Sequence, residues 1–304
     1  MKMVTILSCP VCNSSNFVSL FKKNGFNINR CDTCGLVFVN PRLSEADLNS
    51  YYSEKFFKGE IKLPGRQTKN YLEGISSYTG RSKKLLSSLS KYRSSGTLLD
   101  IGCGLGYLME QAKICGWKTM GLEISDFAVD ICRKKGLIVK KGTIGNVKFP
   151  KNHFDVVVAQ DVLEHLFDPG GFLNEVNRIM KKNGYLVLEM PNNASLRRYA
   201  KGRDWLEYIP PLHLNFFDNK TLKKILEKHG FKVIKIYSEI SLTFGLRERL
   251  RKFKKGRKGF SSIILATVDE LITNFKKNAF YPPVNFLSKY VDIHGDLLIV
   301  YAKK

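Results

Sequence analysis

The strongest constraint on the fold is a glycine-rich turn between an apolar run and a helical segment, in the stretch LLDIGCGLGYLME. The apolar run over residues 97–101 predicts a buried strand, and Gly102, Gly104 and Gly106 then alternate through the turn. Glycine lets the backbone approach a ligand closely, and the N-terminus of the following helix favours a negative group. A dinucleotide-binding fingerprint needs its third glycine one position later, where this chain has Tyr107. The turn is therefore GxGxG, and it predicts a cofactor loop at the end of a strand.

Short apolar runs and helical segments alternate on both sides of this turn. Runs such as FDVVVAQ and YLVLEM place apolar residues on both strand faces, as in strands that are buried on both faces of a parallel sheet. The alternation predicts a doubly wound α/β sheet. The predicted strands are Thr97–Ile101, Thr119–Glu123, Leu137–Lys140, Asp155–Ala159, Tyr185–Glu189, Lys232–Tyr237 and Asp296–Tyr301.

The N-terminal region carries two CxxC pairs, CPVC and CDTC, with eighteen residues between them. This spacing is typical of a zinc ribbon, in which each pair directs two thiolates at one ion. A site with four cysteine ligands leaves no open position, so we expect structural Zn²⁺ rather than a catalytic metal. Four unrelated thiols are the alternative. The predicted ligands are Cys9, Cys12, Cys31 and Cys34.

Four motifs in order, LLDIGCGLG, GLEIS, FDVVVAQDVLEHLFDP and YLVLEMPN, resemble those of class I S-adenosylmethionine-dependent methyltransferases. The resemblance covers about residues 70–240 and 295–304. It implies a Rossmann-like methyltransferase sheet that binds S-adenosylmethionine. A dinucleotide-binding domain and a non-catalytic relative with the same sheet remain the alternatives.

The resemblance also implies which residues bind the cofactor. The three glycines would line its methionine and ribose part, Asp100 would support the loop and the amino group, and Glu123 would bind the ribose. The segment KKGTIGNVKFP lacks the acidic residue that often lies near the adenine, so its backbone or side-chain acceptors would serve instead. The implied cofactor-binding residues are Asp100, Gly102, Gly104, Gly106, Glu123, Thr143, Ile144 and Asp161.

Two histidines are candidates for the base that an alcohol acceptor needs during methyl transfer. His165 follows the fourth predicted strand in DVLEHL, and His213 lies in IPPLHLNFF. In some sugar methyltransferases the histidine that matches His213 acts as the base after a glutamate, and here Leu212 replaces that glutamate. A structural hydrogen bond is the alternative role for both histidines.

The order of the cysteine pairs, the stretch GLVFVNPRLS and the methyltransferase motifs resembles a bacterial and archaeal group tied to polysaccharide and glycolipid biosynthesis. It implies methyl transfer to a sugar hydroxyl of a nucleotide-linked or lipid-linked glycan. An RNA methyltransferase that holds RNA through the ribbon and a basic insertion is the first alternative. A non-catalytic, cofactor-binding regulatory protein is the second.

We predict three regions: a zinc ribbon over 1–40, a connecting helix and linker over 41–69, and a class I methyltransferase domain over 70–304. The ribbon is expected to shape the acceptor side of the domain. Deletion of residues 1–40 is therefore expected to spare cofactor binding and to abolish methyl transfer.

A basic helical insertion is predicted over 241–294, before the last strand. It opens with GLRERLRKFKKGRKG, which has eight Lys or Arg against one Glu, in a chain with a formal net charge of +23. A solvated charged face is one interpretation. Leu250 and Phe253 among the cations favour peripheral contact of residues 245–275 with an anionic membrane over contact with RNA.

Cellular location follows from three features of the sequence. The paired CxxC spacing and odd cysteine count indicate a reducing compartment, and MKMVTIL is too short to be a signal peptide. No apolar run approaches the roughly 18 residues that a membrane span needs. We therefore expect a cytoplasmic protein that contacts the inner face of the membrane.

Overall fold

The computed structural model describes residues 2–63, 66–239 and 295–304. The N-terminal part consists of short elements. They are β1 Met3–Val4, β2 Phe17–Lys23, β3 Phe26–Cys31, β4 Val37–Val39, β5 Arg42–Leu43, α1 Glu45–Asn49, α2 Glu54–Phe57, β6 Lys62–Leu63 and β7 Arg66–Gln67. The sequence predicted one connecting helix after residue 40, and the structure has β5 followed by two short helices instead. The predicted helix start is present, because the Ser44 hydroxyl accepts a hydrogen bond from the Asp47 amide.

The remainder of the described chain alternates strands and helices. Its elements are α3 Ile75–Leu89, β8 Thr97–Ile101, α4 Tyr107–Ile114, β9 Lys118–Glu123, α5 Asp126–Lys134, β10 Val139–Lys141, β11 Phe154–Gln160, α6 Pro169–Ile179, β12 Met180–Pro191, α7 Leu196–Lys201, β13 Asn215–Phe216, α8 Asn219–Lys228, β14 Lys232–Glu239 and β15 Leu297–Lys303. Short 3₁₀ turns cover Leu163–His165 and Gly202–Asp204.

Seven of these strands form one sheet in the order β10-β9-β8-β11-β12-β15-β14. The first five are parallel, and β15 runs antiparallel to both β12 and β14. The central strand β11 is buried at every position from Phe154 to Ala159, because helices cover both faces of the sheet. The predicted α/β Rossmann-like fold is confirmed, and parallel strands end together at the edge where such sheets bind ligands.

The N-terminal part is joined to this sheet by backbone pairing and by a shared core. Strand β13 extends the small sheet β4-β3-β2, with Asn215 opposite Phe38, and the Val39 amide donates to the Leu214 carbonyl at 2.9 Å. The buried side chains of Cys31 and Phe38 belong to the same apolar core as the residues under the main sheet. The cysteine-rich region is therefore packed into the methyltransferase-like domain.

The basic insertion predicted over 241–294, including the membrane-contacting segment 245–275, lies outside the described residues. Among the residues that are described, no helix is both long enough and apolar enough to cross a membrane.

Candidate functional site

A cavity of about 740 Å³ lies at the carboxyl ends of β8, β9 and β11. It contains most of the residues that the sequence singled out. The sequence-predicted residues that line it are Asp100, Gly102, Gly104, Glu123, Thr143, Ile144, Asp161 and His165. Two other predicted residues, Gly106 and His213, do not line it.

The glycines of the turn have different roles. Gly102 and Gly104 adopt positive φ angles of 68° and 51° at the wall of the cavity, in a region that L side chains rarely adopt. Gly106 packs against the fold instead, because a Cβ atom there would lie 2.4 Å from Leu137 and 3.0 Å from Cys132. The geometry shows a packing role for Gly106, and its contact with the cofactor stays a prediction.

Glu123 ends β9 with a carboxylate held by three backbone amides. Its Oε2 accepts from Gly104 N at 2.9 Å, and its Oε1 accepts from Ile124 N at 2.8 Å and Ser125 N at 3.0 Å. Burial raises the pKa of this carboxyl, which is only 6% exposed, while the three amides act to lower it. A carboxylate offers about four acceptor positions, so Glu123 keeps capacity for a ligand hydroxyl.

Asp100 lies beside Glu123 at the end of β8 and is also buried. Burial, and then the Glu123 charge, raise the pKa of Asp100 to about 8. The Asp100 carboxyl is therefore largely protonated at neutral pH unless a cation lies nearby.

A cluster of charged side chains lies at one side of the cavity, and no sequence motif indicated it. Arg81 of α3 binds both oxygens of Asp161, at 2.5 and 3.1 Å, and its Nε lies 3.0 Å from Glu189. Although burial acts to raise it, the Arg81 charge lowers the pKa of Asp161. Asp161 has a positive φ of 54°, a backbone strain often found at functional sites. The pairing of Arg81 with Asp161 depends on contact between α3 and the sheet, which no local pattern reveals.

Aromatic side chains from residues 52–71, together with Tyr78 of α3 and Tyr107 of α4, form an aromatic wall of the cavity. Tyr71 and Tyr78 stack at 5.1 Å with an interplanar angle of 9°, and Tyr78 stacks on Tyr107 at 5.5 Å and 3°. The complete wall is Tyr52, Phe56, Phe57, Tyr71, Tyr78 and Tyr107. The dense aromatic residues of YYSEKFF are the local sequence signal for this wall. Such a surface suits planar or apolar ligand faces and cations.

The two candidate bases lie together, and they differ in access to the cavity. Their rings meet edge to face at 4.7 Å; His165 lines the cavity, and His213 is buried behind it. His165 Nδ1 lies 2.9 Å from the Leu212 carbonyl, and His213 Nδ1 lies 2.8 Å from the Glu207 carbonyl. Burial lowers the pKa of His165, which favours its neutral imidazole. The geometry therefore favours His165 over His213 for direct proton transfer.

Glu164 lies next to these histidines, and the sequence analysis did not select it. It is 3% exposed, and within the described part of the chain neither carboxylate oxygen has a hydrogen-bond partner. Burial, and then the Asp161 charge, raise the pKa of Glu164 well above its ordinary value. Its position beside His165 in DVLEHL was the only signal available.

The four predicted zinc ligands form two knuckles with the same backbone geometry. Cys9 N donates to Ser14 O and Asn13 N to Cys9 O, and the second knuckle repeats both bonds from Cys31 N and Gly35 N. The residue after each pair has a positive φ, 63° in the first knuckle and 83° in the second. This repetition aims all four sulfur atoms at one point.

The sulfur atoms have the spacing that a tetrahedral ion needs. Cys9 lies 3.5 Å from Cys34, Cys12 lies 3.5 Å from Cys31, and all four Sγ atoms lie within 4.8 Å of one another. Zn–S bonds of about 2.3 Å separate tetrahedral sulfur atoms by roughly 3.8 Å. Arg42 is buried nearby, and its Nη2 has no hydrogen-bond partner within the described residues; burial lowers the pKa of Arg42 to about 10, and the Cys9 charge acts in the opposite direction. The donor set thus fits zinc.

Comparison with known proteins places these features in a family. A family model of the methyltransferase domain matches residues 76–236, more than half of the chain. A Mycolicibacterium smegmatis protein described as a probable S-adenosylmethionine-dependent methyltransferase is 26% identical over 177 residues, covering 58% of this chain and 65% of that protein. A ubiquinone biosynthesis O-methyltransferase of Rhodopseudomonas palustris is 32% identical over 134 residues, covering 42% of this chain and 51% of that protein. The chain spans less than two thirds of the length of these relatives.

Solved structures show the same fold. A methyltransferase from Archaeoglobus fulgidus aligns with a TM-score of 0.50 and 24% identity, covering 78% of this chain and 100% of that one. One from Thermotoga maritima aligns with a TM-score of 0.51 and 19% identity, covering 77% and 94%. At these identities the likeness concerns the fold alone.

Proposed function

The chain belongs to the methyltransferase domain family, and on that premise we propose that it transfers the methyl group of S-adenosylmethionine to a hydroxyl oxygen of a small acceptor. The observation that carries the proposal is the single cavity in which the Gly102–Gly104 turn and Glu123 lie together with His165. The glycine turn and Glu123 are suited to hold the nucleoside and the cationic methionine part of the cofactor. His165 provides a neutral imidazole that can act as the base. The aromatic wall lines the same cavity.

This chain's own residues would hold the cofactor and position the acceptor. Glu123 would accept hydrogen bonds from ribose hydroxyls, and Asp100 would face the cationic amino acid part. When bound, S-adenosylmethionine supplies an electrophilic methyl group on a sulfonium sulfur. The sulfonium would supply the methyl group together with a neutral leaving sulfur, so the proton of the acceptor hydroxyl would be the one left for the protein to take. His165 Nε2 takes the hydroxyl proton, since Nδ1 is bonded to the Leu212 carbonyl.

For the acceptor we propose a sugar hydroxyl of a nucleotide-linked or lipid-linked glycan. The support is the aromatic wall, because aromatic rings pack well against the apolar faces of sugar rings. A phenolic hydroxyl is the second candidate, favoured by the similarity to ubiquinone biosynthesis O-methyltransferases and by the stacked Tyr71 and Tyr78. The alternative of an RNA acceptor depends on the zinc ribbon and on the basic insertion over 241–294, and the insertion lies outside the described part of the chain.

His165→Gln should lower kcat at least 100-fold and leave the affinity for S-adenosylmethionine within threefold of the unmodified protein. A positioned base contributes typically 10²- to 10⁴-fold, and glutamine cannot accept the proton. The measurement is transfer of a labelled methyl group to a panel of nucleotide sugars, lipid-linked saccharides and catechols. His153→Gln, at an exposed histidine, is the matched control. Full activity of His165→Gln on an accepted substrate contradicts the assigned base.

Binding of S-adenosylmethionine should tighten as the pH rises from about 6 to about 8, because a cationic ligand favours the ionised form of Asp100. Without ligand, the Asp100 pKa of about 8 means that the folded protein keeps the carboxyl proton between about pH 4 and pH 8, whereas the unfolded chain loses it in this range. The Asp100 contribution to stability is therefore present below about pH 4 and lost as the pH rises to about 8. Calorimetry in buffers of different ionisation enthalpy should detect proton release near pH 7. The same proton release and pH slope in Asp100→Asn contradict this assignment.

We infer that the four-cysteine site binds one structural zinc ion. The support is the repeated knuckle and the 3.5 Å sulfur pairs. The Cys34 hydrogen bond lowers the pKa of Cys9 to about 5, so at least this sulfur is ready to bind a cation at neutral pH. A zinc ion at this site would hold the small sheet β13-β4-β3-β2 in place. Its edge strand, β13, begins two residues after His213.

A further inference from the structure

Behind the wall of the cavity, Glu164, His165 and His213 bring three metal-binding atoms within 4.8 Å of one another. We propose that these residues form a second metal site, for a divalent transition-metal ion, distinct from the four-cysteine site. Two imidazoles and one carboxylate are a donor set that suits such ions and leaves positions open for a further ligand. An ion at this site would take the Nε2 lone pair of His165, so the metal site is an alternative to the role of His165 as the free base, whereas the proposed cofactor site is the same in both cases.

The histidine orientations support this site. Each ring has its Nδ1 within 2.9 Å of a backbone carbonyl oxygen, that of Leu212 for His165 and that of Glu207 for His213. A carbonyl can only accept, so Nδ1 carries the proton in both rings and Nε2 keeps its lone pair. Histidines that bind metals commonly donate their other nitrogen in this way, which fixes the tautomer and the ring orientation.

Glu164 provides an independent observation. A carboxyl group that is 97% buried normally has hydrogen-bond donors, and within the described residues neither Glu164 oxygen has one. Its Oε1 lies 3.9 Å from His165 Nε2, so the carboxylate points towards the lone pair of that ring. A cation between them would compensate the buried carboxylate.

The neighbouring charges also favour a cation. Asp161 and Glu189 add two further carboxylates near this site, and Arg81 pairs with both of them. Glu207 lies close to His213, with Oε2 4.0 Å from Nδ1. Metal–nitrogen bonds of about 2.1 Å hold two ligands at most about 4 Å apart, so binding would draw the three side chains together by about 1 Å.

Cobalt(II) alone is the probe, added to full-length protein whose four-cysteine site is already loaded with zinc. We expect one Co²⁺ per chain, with weak visible absorption and without the thiolate-to-cobalt charge-transfer band that four cysteine ligands give. Glu164→Gln and His213→Gln should each weaken Co²⁺ binding at least tenfold. His153→Gln, with its exposed imidazole, should bind Co²⁺ like the unmodified protein.

Absence of a bound Co²⁺, a spectrum with thiolate charge transfer, or unchanged binding in both variants would overturn the proposal. The spectrum of the unmodified protein decides between sulfur and nitrogen or oxygen ligands even if one variant fails to fold. Affinity for S-adenosylmethionine, measured in the same samples, reports separately on the proposed function. If a sample loses affinity for S-adenosylmethionine but still binds Co²⁺, the result contradicts only the proposed cofactor site and leaves the metal site supported.

Discussion

Glu123→Ala should weaken binding of S-adenosylmethionine about 100-fold, which corresponds to roughly 2.7 kcal/mol. Two effects act in the same direction. The variant loses a charged acceptor for the ribose hydroxyls, and each hydrogen bond to a charged group contributes about 1.5–3 kcal/mol. It also leaves the amides of Gly104, Ile124 and Ser125 without the carboxylate that orients the turn. Isothermal titration calorimetry measures the change.

Glu110→Gln is the matched control for this variant. Glu110 lies on α4, just after the same turn, and its carboxylate pairs with Lys135 at the surface. An exposed pair of this kind contributes little, so the affinity should change less than twofold. An unchanged dissociation constant in folded Glu123→Ala would show that the cofactor does not bind at this carboxylate.

Cys31→Ser should remove one equivalent of zinc and destabilise the whole described domain. Loss of a metal ligand belongs to the few single substitutions with large effects, and we expect a cost of roughly 5 kcal/mol and a Tm lower by about 10–20 °C. Cys31 is fully buried in the same apolar core as Phe38 and the residues under the main sheet. Metal analysis and calorimetric melting test the two parts of this prediction.

Cys115→Ser provides the comparison, because Cys115 is exposed and lies far from the zinc ligands in sequence. It should keep its zinc and its Tm. A Cys31→Ser protein that retains zinc would contradict the four-cysteine site, and one that loses zinc without a change in Tm would mean that the ion does not support the core.

The structure changes the expectation for deletion of residues 1–40. The sequence suggested a separate module, so that its loss would spare cofactor binding. Phe38 and Cys31 instead fill the core under the main sheet, and β4 pairs with β13. Deletion would expose that core, so we now expect loss of the folded domain together with methyl transfer.

Local sequence patterns were sufficient to predict the cofactor loop and the four-cysteine site. A glycine-rich turn after a buried strand, Glu123 at the end of the next strand, and two CxxC pairs each depend on residues within one short segment. Their geometry follows from backbone rules that act over a few residues, such as the positive φ of Gly102 and the repeated knuckle bonds. The sequence alone therefore determined the fold class, the cavity edge and the candidate zinc ligands.

The residues around the proposed acceptor became apparent only from the tertiary structure. Arg81 meets Asp161 across 80 residues, Tyr71 and Tyr78 form a wall over a sheet that begins later in the chain, and His213 packs behind His165 rather than beside the cavity. Each of these contacts depends on how separate elements pack. Because packing sums many weak contacts between distant segments, no local periodicity encodes which side chains meet. The candidate cofactor-binding residues could be predicted from the sequence, whereas the residues around the proposed acceptor and the proposed second metal ion required the tertiary structure.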